Sequence, residues 1–121
     1  MNRAILCGRL GRDPESRDTR AGSVVTMSIA TNERRKEADQ WVEAVEWHRV
    51  VCFGRTAENV AKFLTKGAQC IVEGRIKTSS WEKDGETKYR TEIVADRVEF
   101  VGGRAEQAPR RTAAQSDDIP F

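Results

Sequence analysis

The sequence predicts a mainly β fold, a five-stranded barrel with one helix between the third and fourth strands. Three observations predict it. Apolar side chains run at strand spacing through residues 3–10, 24–32, about 43–53, 68–78 and 88–101. Between 56 and 66 the period becomes helical, with Ala57, Val60, Ala61, Phe63 and Leu64 recurring at helical spacing. Turn signals separate the segments, Asp13-Pro14, Gly22, Gly67 and Asp84-Gly85 among them.

Each element has its own reason. Residues 3–10 form a short apolar run that Gly11 and Asp13-Pro14 bring to an end, and the polar stretch 15–22 reads as a loop. Residues 24–32 set Val25, Met27 and Ile29 against Thr26 and Ser28, the alternation of a half-buried strand. The charged stretch from Glu33 to Glu43 reads as a mobile hairpin loop or ribbon tip. Thr56 is the expected N-cap of the helix, Glu58 falls in its first turn, and Lys66-Gly67 closes it. In 68–78, Cys70, Val72 and Gly74 share one face and Ile71, Glu73 and Arg75 the other. A turn-rich loop from Ser79 to Glu86 holds Trp81, with Asp84-Gly85 as the reversal.

Three strands, a helix and two strands make the order of the OB-fold barrel, whose sheet face and loops carry ligand. An immunoglobulin-like sandwich needs about seven strands and no helix. A βαβ fold needs helices between most of its strands.

Composition sets further bounds. The chain has 121 residues, enough for one domain with a real core. Its formal net charge is only +2, so any affinity for nucleic acid must come from where the cations sit. No apolar run is long enough to span a membrane and no signal peptide is evident, which leads us to expect a cytoplasmic protein. Cys7, Cys52 and Cys70 lie far apart in apolar runs without metal-ligand spacing, and are expected to be buried reduced thiols. No catalytic, metal or cofactor site is expected.

The stretch Glu46-Trp47-His48-Arg49-Val50-Val51-Cys52-Phe53-Gly54-Arg55 carries the functional signal. As a strand it puts Val45, Trp47, Arg49, Val51 and Phe53 on one face, with His48, Val50 and Cys52 on the other. Two aromatics and a guanidinium among valines suit a platform on which bases stack while a cation meets phosphate. The plainer alternative is that Trp47 and Phe53 line the core and Arg49 snorkels past them.

After Gly102-Gly103 the composition shifts. We read 1–102 as the folded domain, 103–116 as a disordered linker, and 117–121 as an acidic tip, Asp117-Asp118-Ile119-Pro120-Phe121. Such a tip suits a basic-rimmed apolar pocket on a partner protein, which would hold ring and carboxylate together.

The chain resembles the bacterial single-stranded DNA-binding proteins, the coat proteins of replication and repair, along essentially its whole length. The carrying segments are residues 1–15, the EWHRVVCFG of 46–54, Lys66-Gly67-Ala68-Gln69, Val72-Glu73-Gly74 and the terminal DDIPF. The resemblance implies a homotetramer that wraps single-stranded DNA during replication, recombination and repair. It implies base-stacking roles for Trp47, Phe53 and Trp81, phosphate contacts from Arg49, Arg55 and Arg3, and a subunit-interface place for His48. It implies that Asp117, Asp118, Ile119, Pro120 and Phe121 dock replication and repair proteins, and that the protein is cytoplasmic and associated with the nucleoid.

The chain departs from that pattern in three places. Arg34-Arg35-Lys36 stand where the family usually has a further tryptophan, which makes Arg35 a candidate DNA contact and Trp41 a candidate for the stacking role. Ser79-Ser80 replace a basic pair before Trp81, and the linker is short. Two rivals remain. A nuclease using Glu46 and His48 is disfavoured, because adjacent strand residues point to opposite faces and no carboxylate cluster is in sight. An accessory OB-fold protein of replication restart, binding DNA as a dimer, lacks the acidic tip that this chain has.

Overall fold

The computed structural model describes residues 1–101. Residues 102–121, and with them the expected linker and the tip from Asp117 to Phe121, lie outside the described residues. Six strands and a helix follow one another: β1 (Ala4–Leu10), β2 (Glu15–Thr19), β3 (Gly22–Glu37), β4 (Gln40–Phe53), α1 (Gly54–Phe63), β5 (Gln69–Lys83) and β6 (Glu86–Val101).

The strands hydrogen-bond in the order β1-β5-β6-β4-β3-β2, and β1 also returns to β3 through Arg9↔Ala30 and Leu10↔Ile29. That return closes a five-stranded barrel and leaves β2 as a flap on the edge of β3. All pairings are antiparallel except one seam, where β4 meets β6 in parallel at Val50↔Ile93 and Val51↔Val94.

The expected loop at 15–22 is in part a strand. Glu15 to Thr19 pair residue for residue with Thr26 to Gly22, so β1 and β2 lie end to end along β3 on either side of Asp13-Pro14. Every residue of β2 is exposed, so no apolar alternation marks it in the sequence.

Of the two readings of 33–43, loop or ribbon tip, the ribbon holds, and the expected loop at 79–86 is a ribbon too. β3 and β4 stay paired to Glu37↔Gln40, turned by Ala38 and Asp39 at φ +48° and +67°. β5 and β6 stay paired to Lys83↔Glu86, turned by Asp84 and Gly85 at φ +54° and +79°. Positive φ at both central residues gives the two-residue turn whose twist matches that of the strands. Trp41 and Trp81 therefore stand on strands, where their facing is fixed.

The helix begins two residues before Thr56. Phe53 is still extended, Gly54 turns the chain at φ +62°, and no side chain caps the first turn. Glu58 consequently falls beyond that turn, whose residues include no acid. The helix ends at Phe63 and the Leu64 N–H closes on the Val60 carbonyl at 3.0 Å, ahead of the turn in which Gly67 takes φ +89°.

The core forms where sequence alternation places it. Val25, Met27 and Ile29 of β3 meet Val50 and Cys52 of β4, Cys70 and Val72 of β5, and Ala57, Val60 and Leu64 under the barrel's end. Cys52 and Cys70 are among its buried members, but Cys7 is exposed on the outer side of β1, contrary to expectation. Strand parity explains it, since Leu6 and Gly8 take the inner positions on either side.

Burial raises the Cys52 thiol to about 12 and the Cys70 thiol to about 11, because a thiolate loses its hydration there. We therefore expect a maleimide near neutral pH to modify Cys7 alone in the folded chain, and all 3 cysteines after denaturation. Mass spectrometry of the labelled protein checks this, and native labelling at Cys52 or Cys70 would contradict it.

Candidate nucleic-acid interface

The outer face of the barrel follows from register. Val51 and Val94 pair across the parallel seam, are each more than 90% buried, and stand outside the main core cluster. They form an apolar floor. From Val51 the same face continues along β4 through Arg49 and Trp47 to Val45, and the other way to Phe53. From Val94 it continues along β6 through Glu92 and Arg90 to Lys88, and across to Arg75, Lys77, Ser79 and Trp81 of β5. On the other side it crosses Thr26 and Val24 of β3 to Glu15 and Arg17 of β2. One surface therefore joins residues that the sequence scatters over most of the domain.

Trp47 and Phe53 stand out from this surface, 59% and 51% exposed, while their strand neighbours Val50 and Cys52 are fully buried. The plainer reading, in which both aromatics line the core, does not hold. Exposed rings of this size lose nothing by burial and gain by stacking on a flat partner. Trp47 faces Ala30 on β3 and lies against Gly11. A Cβ at Gly11 would come within 2.6 Å of Trp47 Cη2, so any other residue there would displace the indole from this position. Gly11, Arg12, Ser28 and Trp47 line an open cleft of about 330 Å³, where Arg12 Nη2 donates to Ser28 Oγ at 3.3 Å.

Each ribbon repeats one arrangement. The Arg34 guanidinium lies 5.3 Å from the Trp41 ring centre, and the Arg90 guanidinium 5.3 Å from that of Trp81. Both are within cation–π range. Trp81 is opposite Lys88, and Arg90 is opposite Ser79.

The remaining candidates are placed as follows. Arg49 shares the face with Trp47, and its Nε donates to Glu92 Oε2 at 2.6 Å. Arg35 pairs opposite Val42, which puts it on the other side of the ribbon from Trp41, and it bonds Glu37 at 3.1 Å. Arg3 lies further round the barrel beside β5, 3.2 Å from Glu73 and in line with Arg75 and Lys77. Arg55 is exposed in the first turn of α1. His48 faces the barrel side, half-buried, with Nε2 2.8 Å from Thr31 Oγ1. The structure thus groups Trp47, Arg49, Phe53 and Trp81 on one surface and carries it onto Trp41, but leaves Arg35 off it.

Arg12, Arg17, Lys77, Lys88 and Arg90 join that surface without having been singled out in the sequence. Lys77, Lys88 and Arg90 fall in segments that already read as strands, and parity counted outward from Val94 reaches them. Arg17 is reached only once 15–19 is known to be a strand, and Arg12, past the end of β1, is placed by its bond to Ser28. Among the described residues no three His, Cys, Asp or Glu side chains gather as a metal site would require.

The model of the single-strand binding protein family matches residues 1–101. The chain belongs to that family. It is 39% identical over 129 aligned positions to the single-stranded DNA-binding protein of Xylella fastidiosa, covering 98% of this chain and 79% of that one. It is 39% identical over 124 positions to single-stranded DNA-binding protein 1 of Chlorobaculum tepidum, covering 99% and 76%. Among solved structures, the Plasmodium falciparum SSB complex with ssDNA superposes with a TM-score of 0.77 at 28% identity, over 84% of this chain and 95% of that one. Ser79-Ser80, where the resemblance implied a basic pair, have a cation close by. Arg90, on the facing strand, puts a cation back over Trp81.

The tight fit at Gly11 yields a prediction. In a chain whose only indole is Trp47 (W41F/W81F), Gly11→Ala should push the ring outward and shift its emission to the red. An unchanged spectrum in the folded protein would contradict the packing described.

Proposed function

We propose that this protein binds and shields single-stranded DNA during replication, recombination and repair, by stacking bases on exposed aromatics and meeting phosphates with the cations between them. The observation that carries the reading is the continuous face on which Trp47, Phe53 and Trp81 stand exposed among arginines and lysines. Stacking is indifferent to sequence because every base has a π-face, and a chain of only +2 net charge must place its cations locally. The family relatives named for this activity, and the relative solved with ssDNA, support the same reading. In it the protein acts by binding alone and catalyses no reaction.

The assembly in this reading is a homotetramer. β1 pairs with β3 only at Arg9 and Leu10, so among the described residues one edge of Ala4 to Gly8 has no strand beside it, and Ile5 is 61% exposed there. An open edge next to an apolar side chain suits a further copy, with His48 at a second contact. In the same reading Arg3 and Arg55 add phosphate contacts at the margins, Arg35 adds to the charge of its ribbon, and Trp41 takes a base. The segment from Asp117 to Phe121 recruits replication and repair proteins. No described helix is long and apolar enough to cross a membrane, and the proposed setting is the cytoplasm, at the nucleoid.

The test is intrinsic fluorescence during titration with poly(dT). Stacking should quench the tryptophans strongly, and the oligonucleotide should keep its length. Trp47→Ala and Trp81→Ala should each weaken binding by about ten-fold or more, since stacking is worth ~1–3 kcal/mol per base. Binding that survives both substitutions unchanged would overturn the reading.

A further inference from the structure

Glu92 is an acid in the middle of a face that this reading assigns to a polyanion. Its place needs a physical reason. The side chain is only 16% exposed, and its Oε2 accepts from Arg49 Nε at 2.6 Å. Lys77 stands directly opposite it on β5, and Arg90 lies two residues along the same face. The pairing uses one edge of the Arg49 guanidinium. The two terminal nitrogens of that fork make no hydrogen bond to any described side chain.

A flexible arginine loses rotamer freedom when it engages a ligand, and that loss weakens binding. Tying down Nε in the free protein removes much of it beforehand, and it presents the paired Nη donors in the geometry that suits a phosphate. Arg49 is two residues from Trp47 on the same strand face, so a fork held there meets the backbone beside a base stacked on the indole. We propose that Glu92 is a positioning residue for DNA binding: it holds Arg49 by Nε and aims its terminal nitrogens at the phosphate next to the Trp47 site. This rests on the single-strand reading above. Positioning and repulsion act with opposite signs on affinity, and their balance can be measured.

The experiment is a double-mutant cycle on the full chain with dT oligomers, with thermal unfolding followed for every variant. In the parent, Glu92→Ala should weaken binding roughly three- to ten-fold, although it removes a negative charge from a face that meets DNA. Glu92→Asp keeps the charge but falls one carbon short of Nε, and should weaken binding too. In an Arg49→Ala background there is nothing left to position, so Glu92→Ala should tighten binding. The proposal is overturned if Glu92→Ala or Glu92→Asp binds as well as the parent. It is also overturned if Glu92→Ala costs the same in both backgrounds, which would mark a purely structural role. Should Glu92→Ala fail to fold, Glu92→Asp in the two backgrounds decides. A parent chain that binds no dT oligomer would instead sink the single-strand reading, and this proposal with it.

Discussion

The parallel seam between β4 and β6 is the constraint on which the outer face depends. It is only two register pairs long, Val50↔Ile93 and Val51↔Val94. The first pair faces the core and the second faces out. Because side chains alternate with a period of two, a slip of one residue would send Trp47, Arg49 and Phe53 inward and His48, Val50 and Cys52 to solvent. Two buried valines therefore fix the facing of aromatics and cations on both strands. The β1–β3 closure locks the seam by turning the sheet into a barrel that cannot splay.

A surface that exposes this much aromatic area would be a liability unless something kept it wet and apart. The arginines do so. Arg34 over Trp41 and Arg90 over Trp81 cover apolar ring with a group that remains solvated. The ion pairs of the barrel surface are likewise partly exposed, as at Arg3–Glu73 and Arg75–Asp96. Exposed pairs contribute little to stability, so their cations can change partner for a phosphate at little cost to the fold. The modest net charge is thus compatible with a strongly cationic face.

Sequence alternation made the barrel's interior legible, because every core strand has one wet side and one dry side. Val25, Met27 and Ile29 were readable for that reason, as was the division of Trp47 and Phe53 from Val50 and Cys52. The signal stops where a strand leaves the core. The ends of β3 and β4 and of β5 run in ribbons wet on both sides, and β2 is wet throughout, so 33–43 reads as a loop or ribbon tip and 15–22 and 79–86 read as loops. Arg17 is hidden for that reason, and so is the difference between Arg35 and its neighbours: without the register, nothing tells Arg34 and Lys36 from Arg35. Lys88 and Arg90 fall in a segment that reads as strand, but the sequence does not show that it pairs with the segment holding Trp81. The helix start was misplaced for a different reason. Gly54 turns the chain through backbone conformation, so the cap carries no side-chain signature, and Thr56 drew the assignment to itself.

Amide chemical-shift mapping with a short dT oligomer tests most directly whether the barrel has one ligand face, fixed by register. Perturbations should follow the face across strands, touching Arg17, Ser28, Trp47, Arg49, Phe53, Trp81 and Arg90, and should spare the helix end, where the Phe63 and Phe100 ring centres lie 5.7 Å apart. Shifts centred on that helix end, with β4 and β6 silent, would contradict it.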